Sequence, residues 1–524
     1  MGWIVLGEEN GRIKLVSKNE TSGLLPKAAF LTVETENGKF ILRVDDSRQN
    51  EPYSPSPMIV DMDLSPLKQD QKCQNLVYAY RIKDLSERDD GLISYIPPQS
   101  IARRSNQEEI NLALGVEREG PKVFLATVYA GQNQVLCGDD GKPIMTSLPV
   151  DMFFHQMLIC GKTGSGKTVA TKYLAQYFVE NLEGFGAVLA INVKDVDFLK
   201  MDKASRTTDY EILKEWETLG QKSHGIDNFT IYYPANTTIE SSQGVNPDIC
   251  KKITLNVRNI EPEALTGLLQ GITDKGAQSL PNIFRYWQNM RTNGDESKFT
   301  FSDFVNYFVN GGKTDKLVYQ TLNSRGDESE VTLHRGTYDN IARTLDSATD
   351  FFDNENATTL EVDDVLHRGK MSVINVAGSK GIQFGSILLR HLLHGIVNEK
   401  SLQKSKIPIL VIIDEVHQFY NSNSSREALG DLDTICRTGR SQKIGVIFSS
   451  QNPSDIPRGL SSVINTKIFF KSDASSAKDH GVKITSEEME CLKKGYAAAN
   501  IHELSQLKIL KFPLAFAGVF NEGE

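Results

Sequence analysis

No apolar run in this 524-residue chain approaches the roughly 18 residues needed to cross a bilayer. Residues 1–14 lack a basic stretch followed by an apolar one, so a secretory leader is not expected. Cysteine is sparse: Cys73, Cys137, Cys160, Cys250, Cys436 and Cys491 stand alone, and no two form a CxxC pair. That argues against a zinc ribbon or a thioredoxin-type motif, while scattered thiols suit a reducing compartment. Together these absences predict a soluble cytoplasmic protein with no membrane segment. A surplus of positive charge is missing too, since 58 Lys and Arg face 67 Asp and Glu for a formal net charge of -9. This excludes a basic coat for nucleic acid but not a local basic channel. There is no internal repeat and no low-complexity tract. The remaining composition, 39% hydrophobic and 24% charged, is that of a globular chain with a sizeable core, and the length predicts about two to four domains.

The first 140 or so residues read as short strands, at Gly11–Val16, Ala29–Glu34, Lys39–Val44 and Asn75–Tyr80. Turn signals at Glu36–Gly38 and Asp89–Gly91 separate them, and the proline-bearing stretch Arg48–Pro57 reads as a loop. Many short strands without a long helix predict a small β-barrel. Near residue 150 the pattern changes. Near-continuous apolar runs at His155–Cys160, Ala187–Val193, Phe229–Tyr233, Met371–Val376, Pro408–Ile413 and Ile444–Ser449 alternate with helical patterns. Such runs predict parallel strands buried on both faces, hence an α/β core. Residues 260 to 350 are polar, with helix starts expected at Glu261–Leu265 and Tyr338–Ala342. The expected division is a β-barrel over 1–145, a first core part over 146–258, a helical insertion over 259–350, and a second core part with a C-terminal segment over 351–524.

Gly161–Thr168, GKTGSGKT, matches G-x-x-x-x-G-K-[ST] between an apolar strand and a helix. Its glycines permit backbone shapes in which successive amides face one anion, and the helix N-terminus adds partial positive charge there. Gly161, Thr163, Gly164, Ser165, Gly166, Lys167 and Thr168 are therefore the expected nucleotide-binding residues. Lys167 would reach the β- and γ-phosphates, and Thr168 would hold Mg2+. A P-loop enzyme also needs an acid on a neighbouring strand. Ile409–Glu415 supplies an apolar strand ending in Asp414, for Mg2+, and Glu415, to orient and polarise the attacking water. No Asn-Lys-x-Asp motif for guanine is present. ATP is the expected nucleotide, and Glu415 favours a RecA-like ATPase.

At this point the chain resembles the HerA branch of the HerA/FtsK translocases. The resemblance rests on Gly161–Thr168, Asp414–Phe419, Arg437–Arg440, Ser449–Asp455, Asn465–Ile468 and the closing Gln506–Leu514. It implies a RecA-like P-loop NTPase core with a mainly parallel sheet, a helical insertion and an N-terminal small β-barrel for assembly. It further implies a homohexamer that passes double-stranded DNA through its centre. A nuclease partner, NurA-like, sirtuin-like or other, would accompany it in DNA end processing or antiphage defence. By the same resemblance Arg440 takes the place of an arginine finger acting on a neighbour's ATP, with Arg437 as its competitor. Gln451 takes the sensor position, where it could bind the γ-phosphate or the water. His417 reads more as a packing or supporting residue than as a catalyst.

Loops after core strands are the places to look for DNA contacts, with Lys194–Lys203 and Ala377–Gly381 as candidates beside the reading that both are ordinary solvated loops. The aromatic cluster Phe284–Trp287 reads as helix packing rather than base stacking. Two function classes stay open: a DNA translocase feeding a nuclease, and an ATPase ring scaffold that regulates a bound effector. A coupling ATPase of conjugation or secretion is a weaker third.

Overall fold

A computed structural model of the chain describes residues 2–17, 23–50, 74–85, 94–116, 119–129, 131–182, 185–194, 196–268, 274–294, 299–311, 317–378, 381–420, 432, 435, 439–456, 458–504 and 508–520. It divides into two compact units, Met1–Val150 with Phe469–Phe512, and Asp151–Ile468 with Pro513–Glu524.

In the first unit six antiparallel strands close a barrel: Trp3–Glu9, Arg12–Ser17, Phe30–Thr35, Gly38–Asn50, Gln74–Asp84 and Ile101–Arg104. Alternation explains it, since Trp3, Val5, Ile13, Leu15, Leu31, Val33, Val77 and Ala79 are all buried. Closure pairs Ile101–Arg104 with both Trp3–Glu9 and Phe30–Thr35 and so leaves no open edge. The four expected strands are present. Gly38–Asn50 runs on through Arg48–Asn50, which the prolines further along had suggested was loop; two register shifts let this long strand curve. The rest of that expected loop and the Asp89–Gly91 turn lie outside the described residues. The unit also holds an antiparallel group in which Lys122–Tyr129 pairs with Gln132–Val135, Met145–Ser147 and Ile509–Lys511, the last of which pairs with Tyr496–Asn500.

The second unit is built on a sheet whose strands lie in the order Thr358–Thr359, Cys250–Thr254, Phe229–Pro234, Met371–Asn375, Ala187–Asn192, Ile409–Ile413, Ile444–Ser450, Met157–Cys160, Thr466–Phe469. Every pairing from Thr358–Thr359 to Met157–Cys160 is parallel. Ala187–Asn192, Met371–Asn375 and Ile409–Ile413 are buried at every residue, as the apolar runs foretold.

Gln156, fully buried and left-handed at φ +58°, ties three strands together just before Met157. Its side-chain Oε1 accepts from the Val446 amide at 2.7 Å, and its carbonyl accepts from the Thr466 amide at 3.2 Å. Gln156→Leu should strand the Val446 N–H and lower stability by about 1–3 kcal/mol. A lower thermal unfolding midpoint would show this; an unchanged midpoint would mean that the amide finds another partner.

Residues 259–350 contain the helices Asp274–Thr292, Phe301–Asn310 and Arg335–Ala348 around an aromatic core. Phe284 and Trp287 are fully buried and meet Phe304 with ring centroids 4.8 and 5.2 Å apart, so this cluster packs helices. Two details differ from expectation. Pro262–Leu268 is a tight 3-10 stretch, and the third helix begins at Arg335, capped by His334, a turn before Tyr338. An antiparallel hairpin, Val318–Leu322 with Glu328–Thr332, also sits inside this helical segment. Only Tyr319 and Thr321 are buried on it, too short and polar an alternation to stand out in sequence.

Candidate active site

The strand Met157–Cys160 is fully buried and runs into the loop of residues 161–166, where the Gly161 amide donates to Ser450 O at 3.3 Å. Gly164 and Gly166 adopt φ +78° and +108°, the left-handed backbone that the motif's glycines allow. The helix Lys167–Glu180 starts directly afterwards, and its cap, Gly166, offers no side-chain acceptor to the first amides. Ser165 and Lys167 are buried, whereas Lys162, Thr163 and Gly164 are exposed and Thr168 is half-buried. Ser165 Oγ is buried without a hydrogen-bond partner among the described residues. Uncapped amides, an unpartnered hydroxyl and a lysine at one concave turn fit a polyphosphate. One turn further along the helix, the buried Lys172 ammonium donates to Gly518 O at 2.7 Å, and burial lowers its pKa to about 8.

Asp414 and Glu415 follow the strand Ile409–Ile413 at its C-terminal end, each 6% exposed. Burial pushes the Asp414 carboxyl up to about 6; Glu415 and Asp197 add to the rise, while Ser449 and Lys167 oppose it. Concentrated buried negative charge beside a lysine suits a hard divalent cation such as Mg2+. Glu415 itself is left-handed, φ +44°, a conformation that costs a non-glycine residue about 1–3 kcal/mol and collects at functional sites. Gln451 Nε2 donates to Glu415 Oε1 at 2.9 Å. The fold thus brings Lys167, Asp414, Glu415 and Gln451 to one edge of the sheet, because Cys160 registers with Ser450 and Ile413 with Phe448.

One expectation is corrected here. The acidic strand does not adjoin the P-loop strand, because Ile444–Ser450 lies between the two and delivers Gln451.

Arg440 is not brought to this group. It is exposed, and its carbonyl accepts from the Lys443 amide just before Ile444, at the opposite end of the strand from Gln451. Arg437 lies outside the described residues. Among the candidate DNA loops, Lys203 donates to Gly244 O and Lys200 lies over the Phe520 ring at 5.0 Å, so Lys194 is the exposed lysine of that segment. Of Ala377–Gly381, Ser379 and Lys380 lie outside the described residues. Sequence reasoning passed over Asp197, whose charge bears on both Asp414 and Lys172. Its place among other loop carboxylates gave no signal.

A phosphate loop and an acidic strand end separated by one inserted parallel strand define a P-loop ATPase of the RecA-like class. Residues 136–396 match the family described as "Helicase HerA, central domain", and residues 386–506 match "Helicase HerA-like C-terminal". The chain belongs to the HerA family. The DNA double-strand break repair helicase HerA of Saccharolobus solfataricus is 21% identical over 409 residues, covering 76% of this chain and 70% of that protein. The same-named protein of Sulfurisphaera tokodaii is 26% identical over 184 residues, 33% of this chain but only 37% of the relative's length. Among solved structures, the unbound bacterial conjugative coupling protein TrwB aligns at 13% identity, covering 80% of this chain and 93% of that one, with a TM-score of 0.48.

Proposed function

We propose that the chain is the subunit of a homohexameric ring that hydrolyses ATP to move along double-stranded DNA, working with a nuclease partner in the cytoplasm. DNA end processing or antiphage defence would be its setting. The observation that carries this reading is the convergence of Lys167, Asp414, Glu415 and Gln451 on one sheet edge in a chain of the HerA family. The relatives named as DNA repair helicases support the choice of substrate. Among the described residues, no helix is long and apolar enough to cross a membrane.

The proposed division of labour follows from charge and position. The backbone of Gly161–Gly166 cradles the phosphates, with Thr163 and Ser165 at its rim and floor, and Lys167 places its ammonium on the β- and γ-phosphates. Thr168 and Asp414 are the residues that would hold Mg2+, which supplies neutralisation of phosphate charge when bound. Glu415 accepts a hydrogen bond from the attacking water. The water oxygen then bonds to the γ-phosphorus as the bond to the bridging oxygen breaks; the water's proton passes, by way of Glu415, to an oxygen of the released phosphate, and ADP leaves with the electron pair of the broken bond. Gln451, already on Glu415, is placed to report on the γ-phosphate. Arg440, out of reach of its own P-loop, serves the neighbouring subunit's ATP.

Hydrolysis by the isolated protein, measured with and without double-stranded DNA, tests the reading: stimulation by DNA is expected. Stimulation only by a protein partner would instead favour a regulatory ring scaffold. Glu415→Gln should bind ATP with near-normal affinity and turn it over about 10²- to 10⁴-fold more slowly, since the amide keeps the shape and loses the charge. If the variant fails to bind nucleotide, Glu415 belongs to binding instead.

A further inference from the structure

Glu415 is gripped on one oxygen only. Gln451 Nε2 donates to Oε1 at 2.9 Å, while Oε2 is buried and has no hydrogen-bond partner among the described residues. His417 Nδ1 lies 3.4 Å from that oxygen, and it too is buried without a hydrogen-bond partner among the described residues. The same nitrogen stands 3.7 Å from Asp455 Oδ2. Asp455 is fixed in its turn: the Ser450 hydroxyl donates to its Oδ2, and the Asn452 amide approaches that oxygen at 3.4 Å. A carboxylate oxygen and an imidazole nitrogen, both buried and both unmatched, therefore face each other just beyond hydrogen-bond distance.

We propose that His417 is the positioning residue of Glu415, its Nδ1–H closing onto Oε2 when the site tightens around MgATP, with the Asp455 carboxylate, 3.7 Å from the same nitrogen, holding the imidazole by charge rather than by a second hydrogen bond. This rests on the reading of Glu415 as the residue that orients water. Three features of the backbone make the closure local. Glu415 is left-handed at φ +44°, and its Oε2 lies 3.4 Å from the imidazole nitrogen two residues on. The Val416 amide is tied to Ser449 O at 3.2 Å, so the segment carrying His417 is anchored to the strand that carries Gln451. Asp455 belongs to the short turn Pro453–Asp455 immediately after Gln451. Gln451 and Asp455 thus come from one segment and approach the acid from two sides, Gln451 directly and Asp455 through His417. A carboxylate held on both oxygens keeps one orientation toward the water, and a carboxylate held on one can rotate away from it.

The test compares His417→Ala, His417→Asn and Asp455→Asn in the full chain, reading kcat, KM for MgATP and equilibrium MgATP affinity. His417→Ala is expected to lower kcat by about 10- to 100-fold, the loss of one charge-assisted hydrogen bond. Its KM and nucleotide affinity should stay within about twofold, since His417 touches no phosphate. Asparagine can place Nδ2 where the imidazole has Nδ1, so His417→Asn should recover most of the rate. Asp455→Asn should lower kcat less than His417→Ala does. In a Glu415→Gln background, His417→Ala should add nothing, because the two act as one unit. An unchanged kcat in His417→Ala, or an equal further loss in the Glu415→Gln background, overturns the proposal. If Glu415→Gln alone leaves turnover intact, the role of Glu415 falls, and the proposal with it; the two failures are told apart by that single variant.

Discussion

Lys167→Ala is expected to fold as the parent does and to show no measurable ATP turnover. The ammonium sits at the first residue of the helix Lys167–Glu180, where the loop glycines have already turned the backbone toward an anion. Its charge opposes the rise in the pKa of both the Asp414 carboxyl and the Cys160 thiol, so it lies near the acidic strand end. Removing it leaves the acids at that edge without the lysine that opposes their charge, and leaves the γ-phosphate without its cationic partner. Interactions of this kind on a transferring phosphoryl group are worth about 10²–10³ in rate or more. The fold should tolerate the change, since the strands around the site are held by apolar residues such as Leu158, Ile159, Val446 and Ile447. Circular dichroism and thermal unfolding would check the fold, and a phosphate-release assay the turnover. Parental hydrolysis by a folded Lys167→Ala protein would remove the P-loop as the site of chemistry.

Arg440→Ala alone should also be nearly inactive, and mixing it with Lys167→Ala should restore part of the activity. Arg440 precedes Ile444, and Gln451 follows Ser450, so the strand between them sets arginine and site about 20 Å apart at 3.3 Å per residue. An arginine side chain does not bridge that distance, so under the proposed ring any phosphate contact of Arg440 would be to another subunit's nucleotide. Such a finger is worth about 10³–10⁵ in turnover. Arg440→Ala subunits keep Lys167 and Glu415; Lys167→Ala subunits keep Arg440. Where the first supplies the P-loop and the second the finger, a complete site is rebuilt. Recovery should follow the mixing ratio and require co-expression or subunit exchange. No recovery in verified mixed rings would show that Arg440 is not a trans finger or that firing needs every site intact. A protein that stays monomeric with ATP, magnesium and DNA would end the ring reading.

The parts of the site that were legible in sequence are those dictated by local chemistry. Gly161–Thr168 can be read because left-handed glycines, a lysine and a helix start must occur in that order. Ile409–Ile413 can be read because a strand buried on both faces has no polar position. The strand Cys250–Thr254 could not, since it lies near the sheet's edge with only Ile253 and Thr254 buried and two lysines in its middle. Ile444–Ser450 was legible as a strand, but not its place between the P-loop strand and the acids, because strand order is a property of crossovers that no local pattern records. The Gln451–Glu415 hydrogen bond, the left-handed Glu415 and the neighbourhood of Asp197 arise from tertiary approach alone. Arg440 was legible as a residue of interest, but only the course of Ile444–Ser450 shows that it lies at the opposite end of that strand from Gln451.

The pairing of Met157–Cys160 with Ile444–Ser450 also has a consequence for the birth of the protein. Gln156 meets Val446 across 290 residues of chain. At about 5–20 residues per second, a ribosome needs roughly 15–60 s to make that stretch. The six barrel strands are complete by Arg104 and can close early. The phosphate loop, by contrast, waits for its neighbouring strand until Ile444–Ser450 has emerged. During that interval Met371–Asn375 can already pair with Phe229–Pro234 and Ala187–Asn192, but the apolar strand Ala187–Asn192 still lacks Ile409–Ile413 on its other side. Nascent chains stopped near residue 400 should therefore carry a protease-resistant barrel ahead of a protease-sensitive remainder, and holdase chaperones should find their longest window on this molecule there.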